Sequence, residues 1–213
     1  MTDHTTISWV VLVALGAFHG INPGMGWLFA VALGMQERSR SAVWRALLPL
    51  GAGHALAVAA AIIVASAAGA VVPIEVLRWP VAVILIAFAI AHLVRHRHPR
   101  WASMRVGMGR LTLWSFLMAS AHGAGLMVVP IFLGLTVAAT HHSHHHTLPV
   151  STSMTTALLA TSLHAAGYLF VTALVSVLVF EKLGLAMLRK TWFNLDLLWG
   201  VVLAGSGLAI PFL

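Results

Sequence analysis

The chain has 213 residues, of which 60% are hydrophobic and 8% charged, with a formal net charge of +7 and a mean hydropathy of +0.96. A soluble domain carries about 25% charged residues, so this composition excludes a water-soluble globule, a disordered chain and a coiled coil and leaves a polytopic helical membrane protein. The absence of cysteine excludes disulfides, thiolate metal sites and iron–sulfur clusters.

A helix needs roughly 20 apolar residues to cross a bilayer. On that criterion six spans are expected, at residues 7–34, 45–70, 77–95, 111–139, 152–180 and 194–213. They make one all-α transmembrane domain over 1–213. The first span is expected to be a retained helix rather than a signal peptide. No Lys or Arg precedes Arg38, and a secretory signal begins with a basic segment.

The first span carries the sharpest local motif, HGINPGMGW at 19–27. His19 and Asn22 are three apart and share a helix face. Pro23 has no N–H, which would leave the His19 carbonyl unpaired. Gly20, Gly24 and Gly26 allow the backbone to unwind. Broken helices at membrane depth are tolerated where they are buried or line a cavity. His19, Asn22, Pro23 and Gly24 therefore read as an ion or ligand site at a helix break; a kink serving packing alone is the plainer alternative.

The second span holds Gly53-His54, and Glu75 follows it. The third span is short, with His92, His96 and His98 at or past its end. The fourth reads WSFLMASAHGAGLMVVP at 114–130, placing Met118, His122 and Gly125 on one face, with Pro130 expected to free the Leu126 carbonyl. Its methionines are Cu(I) ligands or packing residues. Next comes a tract of His141, His142, His144, His145 and His146, which reads as metal binding or as a polar linker. In the fifth span Thr161, His164, the lone Tyr168 and Thr172 follow helical spacing, as a permeation path or as interhelical hydrogen-bond partners would. Asp196 stands near the start of the sixth span, as a gate or as an acid favoured by the helix dipole.

Eleven of the twelve basic residues fall on alternate loops: Arg38, Arg40 and Arg45; Arg95, Arg97, Arg100, Arg105 and Arg110; and Lys182, Arg189 and Lys190. Basic loops stay cytoplasmic. Both termini and the His-rich tract are then expected outside, in a bacterial inner membrane. The net charge needs no nucleic-acid partner. The spans repeat as long, long, short. Phe18-His19-Gly20 matches Ala121-His122-Gly123, and Gly53-His54-Ala55 matches Leu163-His164-Ala165. Three spans per unit make the halves, about 1–100 and 101–213, an inverted repeat. That plan recurs in secondary transporters, whose substrate site lies near the midplane.

Ionisable residues inside spans are costly and functional by default. His19, His54, His122 and His164 lie on four different spans. Imidazole is both the commonest metal ligand and a proton carrier, and four of them suit Ni²⁺, Co²⁺, Zn²⁺ or copper ions.

The pattern His19-x-x-x-Pro23-Gly24, with Gly53-His54 and the His-rich tract, resembles the LysE-type transporter superfamily and its nickel/cobalt (NicO-type) efflux branch. The resemblance implies export of a divalent metal with intramembrane histidines as ligands. The chain departs from that family at Gly24-Met25-Gly26, where the family tends to carry Gly-His-Gly, and in the outer position of its His-rich tract.

The expected function is a proton-coupled secondary transporter of a transition-metal cation. The metal is substrate, and no tightly bound cofactor is expected. Two alternatives stay open: a haem-binding redox protein using histidine pairs such as His54 with His164 or His19 with His122, and a LysE-like exporter of a small organic or amino-acid solute held at the broken helix. An enzyme is not expected, since neither GxSxG nor HExxH occurs. The expected partners are the lipid bilayer and the transported ion or solute, and a homo-oligomer is compatible with the sequence.

Overall fold

The computed structural model describes residues 3–70, 72, 74–94, 107–142, 150–183, 201 and 203–208, and these form helices joined by turns, with no strand among the described residues. Helix α1 (Asp3–Ile21) gives way to a 3₁₀ turn at Pro23–Met25 and then to α2 (Trp27–Gln36). After a tight turn come α3 (Arg40–Gly69) and α4 (Ile74–Val94). The second half has α5 (Met108–Ala121), α6 (Ala124–His142) and α7 (Val150–Leu178), which ends in a π turn at Val179–Leu183. Residues 203–208 are helical.

Two helices are long and apolar enough to cross a membrane, Arg40–Gly69 and Met154–Lys182; a third span is added if the pair Met108–Ala121 and Ala124–Thr136, bent by 64°, counts as one. The structure thus differs from six uninterrupted spans. The first is cut into α1 and α2 by the turn at Pro23, whose ring cannot supply the next helical N–H. The fourth breaks at His122–Gly123, well before Pro130, which α6 accommodates in its interior. Gly123 has φ 71°, a left-handed conformation that suits glycine and ends a helix. Most of 194–213 lies outside the described residues.

Helix contacts bring distant parts of the chain together. On α1, Gly16 and Gly20 form a GxxxG pair that lets backbones approach closely. A methyl at Gly16 would strike the His164 carbonyl, and one at Gly20 would lie 2.6 Å from the Tyr168 carbonyl oxygen. From the other side, Gly167 rests on the Val13 carbonyl. α1 and α7 therefore run parallel. So do α3 and α5–α6: Leu47 and Leu50 cluster with Leu111, the Ser115 hydroxyl donates to the Leu50 carbonyl at 2.6 Å, and Gly125 further along meets Ala57 and Ala61. Between the two pairs α3 and α7 are antiparallel, with Gly51 against Leu169 and Trp44 sharing a groove with Val177.

The distribution of polarity is inverted relative to a soluble protein. Leu48, Phe170, Val64 and Ile63 are among many exposed aliphatic and aromatic side chains, whereas His19, His54, His122, His164, Asn22, Ser115, Thr172 and Ser176 are buried. Soluble proteins bury few such groups and avoid large exposed apolar patches. At one end of the bundle, Arg40 pairs with Glu181 at 3.0 Å, tying the start of α3 to the π turn after α7, and Arg45 pairs with Glu37.

Candidate functional site

The centre of the bundle is a histidine cluster. His19 on α1, His54 on α3 and His164 on α7 are all fully buried. Their ring centres are 5.5 Å apart for His19–His54, 5.1 Å for His19–His164 and 5.3 Å for His54–His164. The close approach of α1 to α7 at Gly16 and Gly20 puts His19 and His164 at the same depth; the antiparallel crossing of α3 brings in His54.

Two of the three rings are fixed in tautomer. His19 Nδ1 lies 2.6 Å from the Leu15 carbonyl oxygen and His164 Nδ1 lies 3.1 Å from the Leu12 carbonyl oxygen. A carbonyl carries no hydrogen, so each Nδ1 is the donor and each Nε2 keeps its lone pair. This is the arrangement that metal-ligating histidines use, one nitrogen anchored and the other available. His164 Nε2 is buried and makes no hydrogen bond. On His54, both nitrogens are buried and neither makes one. Orphaned buried polar atoms are uncommon, and each calls for a physical account.

Tyr168 completes the cluster. Its ring stacks on His54 with centres 3.9 Å apart and planes 8° from parallel. Its hydroxyl donates to the Met25 carbonyl at 2.5 Å. Met25 belongs to the 3₁₀ turn, so one tyrosine touches both a central histidine and the helix break.

At the break, the protein's own groups hydrogen-bond one another. The His19 carbonyl accepts from the Asn22 N–H at 3.2 Å. The Asn22 side chain caps the turn, accepting from the Gly24 N–H at 2.9 Å. The indole of Trp27 donates to the Ile21 carbonyl at 2.8 Å. Met25 and Gly26 N–H groups bond to Asn22 and Pro23 carbonyls. Asn22, Pro23 and Gly24 therefore shape the turn, and the N–H groups of Asn22 and Gly24 are engaged within it.

His122 caps α5 and is buried, with Nδ1 donating to the Met118 carbonyl at 2.8 Å. That is the same four-residue reach as His19 to Leu15. It stands within electrostatic range of His19; the ring contacts of the cluster join His19, His54 and His164. In the stripe on α7, His164, Tyr168 and Thr172 are buried and Thr161 is half-buried. His141 and His142 end α6, with side chains outside the described residues. His144, His145, His146 and Asp196 lie wholly outside them.

An ion held by three imidazoles at roughly 2.1 Å keeps their ring centres about 5 Å apart, which is the spacing of this cluster. The donor atoms do not yet converge: among the described residues no group of three or more His, Asp or Glu side chains forms a ready coordination shell. The ring centres, 5.1–5.5 Å apart, are close, but their nitrogens do not form a coordination shell. Sequence reading had no access to the stacking of Tyr168 on His54 or to the Tyr168–Met25 bond; the only signal was a single tyrosine four residues after a histidine. Comparison with protein-family models, curated proteins and solved structures gives no match.

Proposed function

We propose that the chain is a multi-pass carrier of a transition-metal cation, exchanging it against protons across a bacterial inner membrane through the His19–His54–His164 centre. The observation that carries this reading is three buried imidazoles at metal-binding spacing, two with Nδ1 anchored to backbone carbonyls. Among the residues whose burial is described, no carboxylate is buried, so hard oxygen-seeking cations are poor candidates and nitrogen-seeking ions such as Zn²⁺, Ni²⁺ and Co²⁺ suit the donors. Protons compete for the same lone pairs, which supplies the coupling.

The six-span inverted repeat with both termini outside is part of the proposal. Exchanging the first and fourth spans, and the second and fifth, turns the parallel pair α1·α7 into the parallel pair α3·α5–α6, the correspondence expected of two inverted halves. For α3 and α5 to run parallel, the chain must return between them, and α4, at 21 residues, is about 31 Å long, enough to do so. The motif His19-x-x-x-Pro23-Gly24, similar to LysE-type and nickel/cobalt carriers, agrees with this reading.

The alternatives draw less support. Axial haem ligands approach iron from opposite faces of a porphyrin, while the rings here are about 5 Å apart with Tyr168 packed on His54. An anionic solute would need free N–H groups at the break, and those of Asn22, Gly24, Met25 and Gly26 are engaged. The test is flux in proteoliposomes loaded with a metal-sensitive dye. Zn²⁺, Ni²⁺ or Co²⁺ should cross with opposite proton movement, and His164→Ala, inserted normally, should not carry it. Wild-type rates in both His19→Ala and His164→Ala would end this reading.

A further inference from the structure

The three central histidines are not held alike. His19 and His164 are each anchored through Nδ1 to the α1 backbone, at Leu15 and Leu12. His54 has no hydrogen bond at either nitrogen; its ring packs on those of His19, His164 and Tyr168. One of these is the 3.9 Å stack on Tyr168, whose hydroxyl is fastened to the Met25 carbonyl in the turn between α1 and α2. The ring centres sit at coordinating distance while the donors do not form a shell. Turning His19 or His164 breaks a buried hydrogen bond, which is costly. Turning His54 breaks none.

We infer that His54 is the moving ligand of this site and that Tyr168 is its positioning residue, holding the imidazole turned out of the shell and tying its rotation to the helix break at Asn22–Gly26. The inference rests on the metal-site reading above. When an ion sits between His19 and His164, His54 leaves the tyrosine face and supplies the third nitrogen. Tyr168 then loses its ring partner, while its hydroxyl still bears on Met25. Occupancy of the centre is thereby communicated to the break, which is the natural hinge of the first span. A pair of anchored ligands and one free ligand also leaves the ion an exit, since a rigid closed shell would hold it too long to transport it.

The chain has a single tyrosine, so a sample labelled with ¹³C at the tyrosine Cζ alone gives one signal in detergent. In metal-free protein that signal carries the ring-current shift of the stacked imidazole. Zn²⁺, followed in parallel by calorimetry, should move it to the unstacked position. In His54→Gln the signal should already lie there and stay there. Tyr168→Phe keeps the ring but lacks the hydroxyl; it should bind Zn²⁺ within a few-fold of wild type yet transport about tenfold more slowly, the size of a typical coupling between sites. Zn²⁺ binding that requires His164 but leaves the wild-type tyrosine signal unmoved overturns this inference and spares the metal-site reading. Absence of Zn²⁺ binding in the wild type overturns both.

Discussion

Two short motifs, His19-Gly20 and His122-Gly123, stand at two helix breaks, and the chain resolves them differently. In both, the imidazole Nδ1 donates to the carbonyl four residues back, Leu15 or Met118. Beyond that the solutions diverge. The first break is a 3₁₀ turn with an asparagine cap, an indole donor and a tyrosine from α7 fastened to it. The second is two residues long, made by Gly123 in the left-handed region, and turns the helix by 64°. The side chain of His19 packs its ring against His54 and His164; His122 caps the end of α5. The difference teaches that a shared local motif fixes the tautomer of an imidazole, whereas its neighbours across the bundle decide which rings meet.

The strongest way to sharpen that contrast is to remove each histidine in turn. His19→Ala and His164→Ala should lower metal affinity by at least about a hundredfold, at the upper end of what loss of an orienting partner alone produces; His122→Ala should lower it less. Equilibrium binding to purified protein decides, and equal losses at all three positions would merge the two regions into one site. Binding in every form should weaken from about pH 8 to pH 5, because a protonated imidazole has no lone pair to give.

Next in size are the glycines that set the approach of α1 to α7. Gly16→Ala drives a methyl into the His164 carbonyl and should destabilise the fold by about 1–3 kcal/mol, with metal affinity falling in parallel. Gly134→Ala, where nothing lies nearby, is the matched control. Thermal unfolding in detergent measures both. At the second break, Gly123→Ala forces a left-handed conformation on a side chain and should destabilise by about 1–2 kcal/mol. The smallest effect is expected from Asn22→Ala, which removes one cap, at about 1 kcal/mol. Loss of metal binding in Asn22→Ala with stability unchanged would return Asn22 from a structural role to that of a ligand.

The helices and the interior histidines were legible in the sequence, since a polar residue inside a long apolar run has nowhere comfortable to go but inward. The break at Pro23 was legible too, because proline announces its missing N–H. Less visible was the fate of the freed groups: Asn22 reads equally as ligand or as cap, and only the position of Gly24 N–H separates the two. Pro130 lies inside α6, and the fourth span breaks instead at Gly123, whose left-handed conformation no composition reveals. The stacking of Tyr168 on His54 depends on α3 crossing α7, a long-range fact with no local signature. The His-rich tract and Asp196 were conspicuous in the sequence and lie at or beyond the limits of the described residues.

The hydrogen bond from His164 to Leu12 joins positions 152 residues apart. During synthesis α1 emerges first and its imidazole must wait, while most of the chain is still being made, for α7 to arrive beside it. No nascent fragment lacking α7 has the full trio of rings. Truncation anywhere before α7 leaves at most the His19–His54 pair of the three rings, so the cluster is among the last features of the chain to assemble.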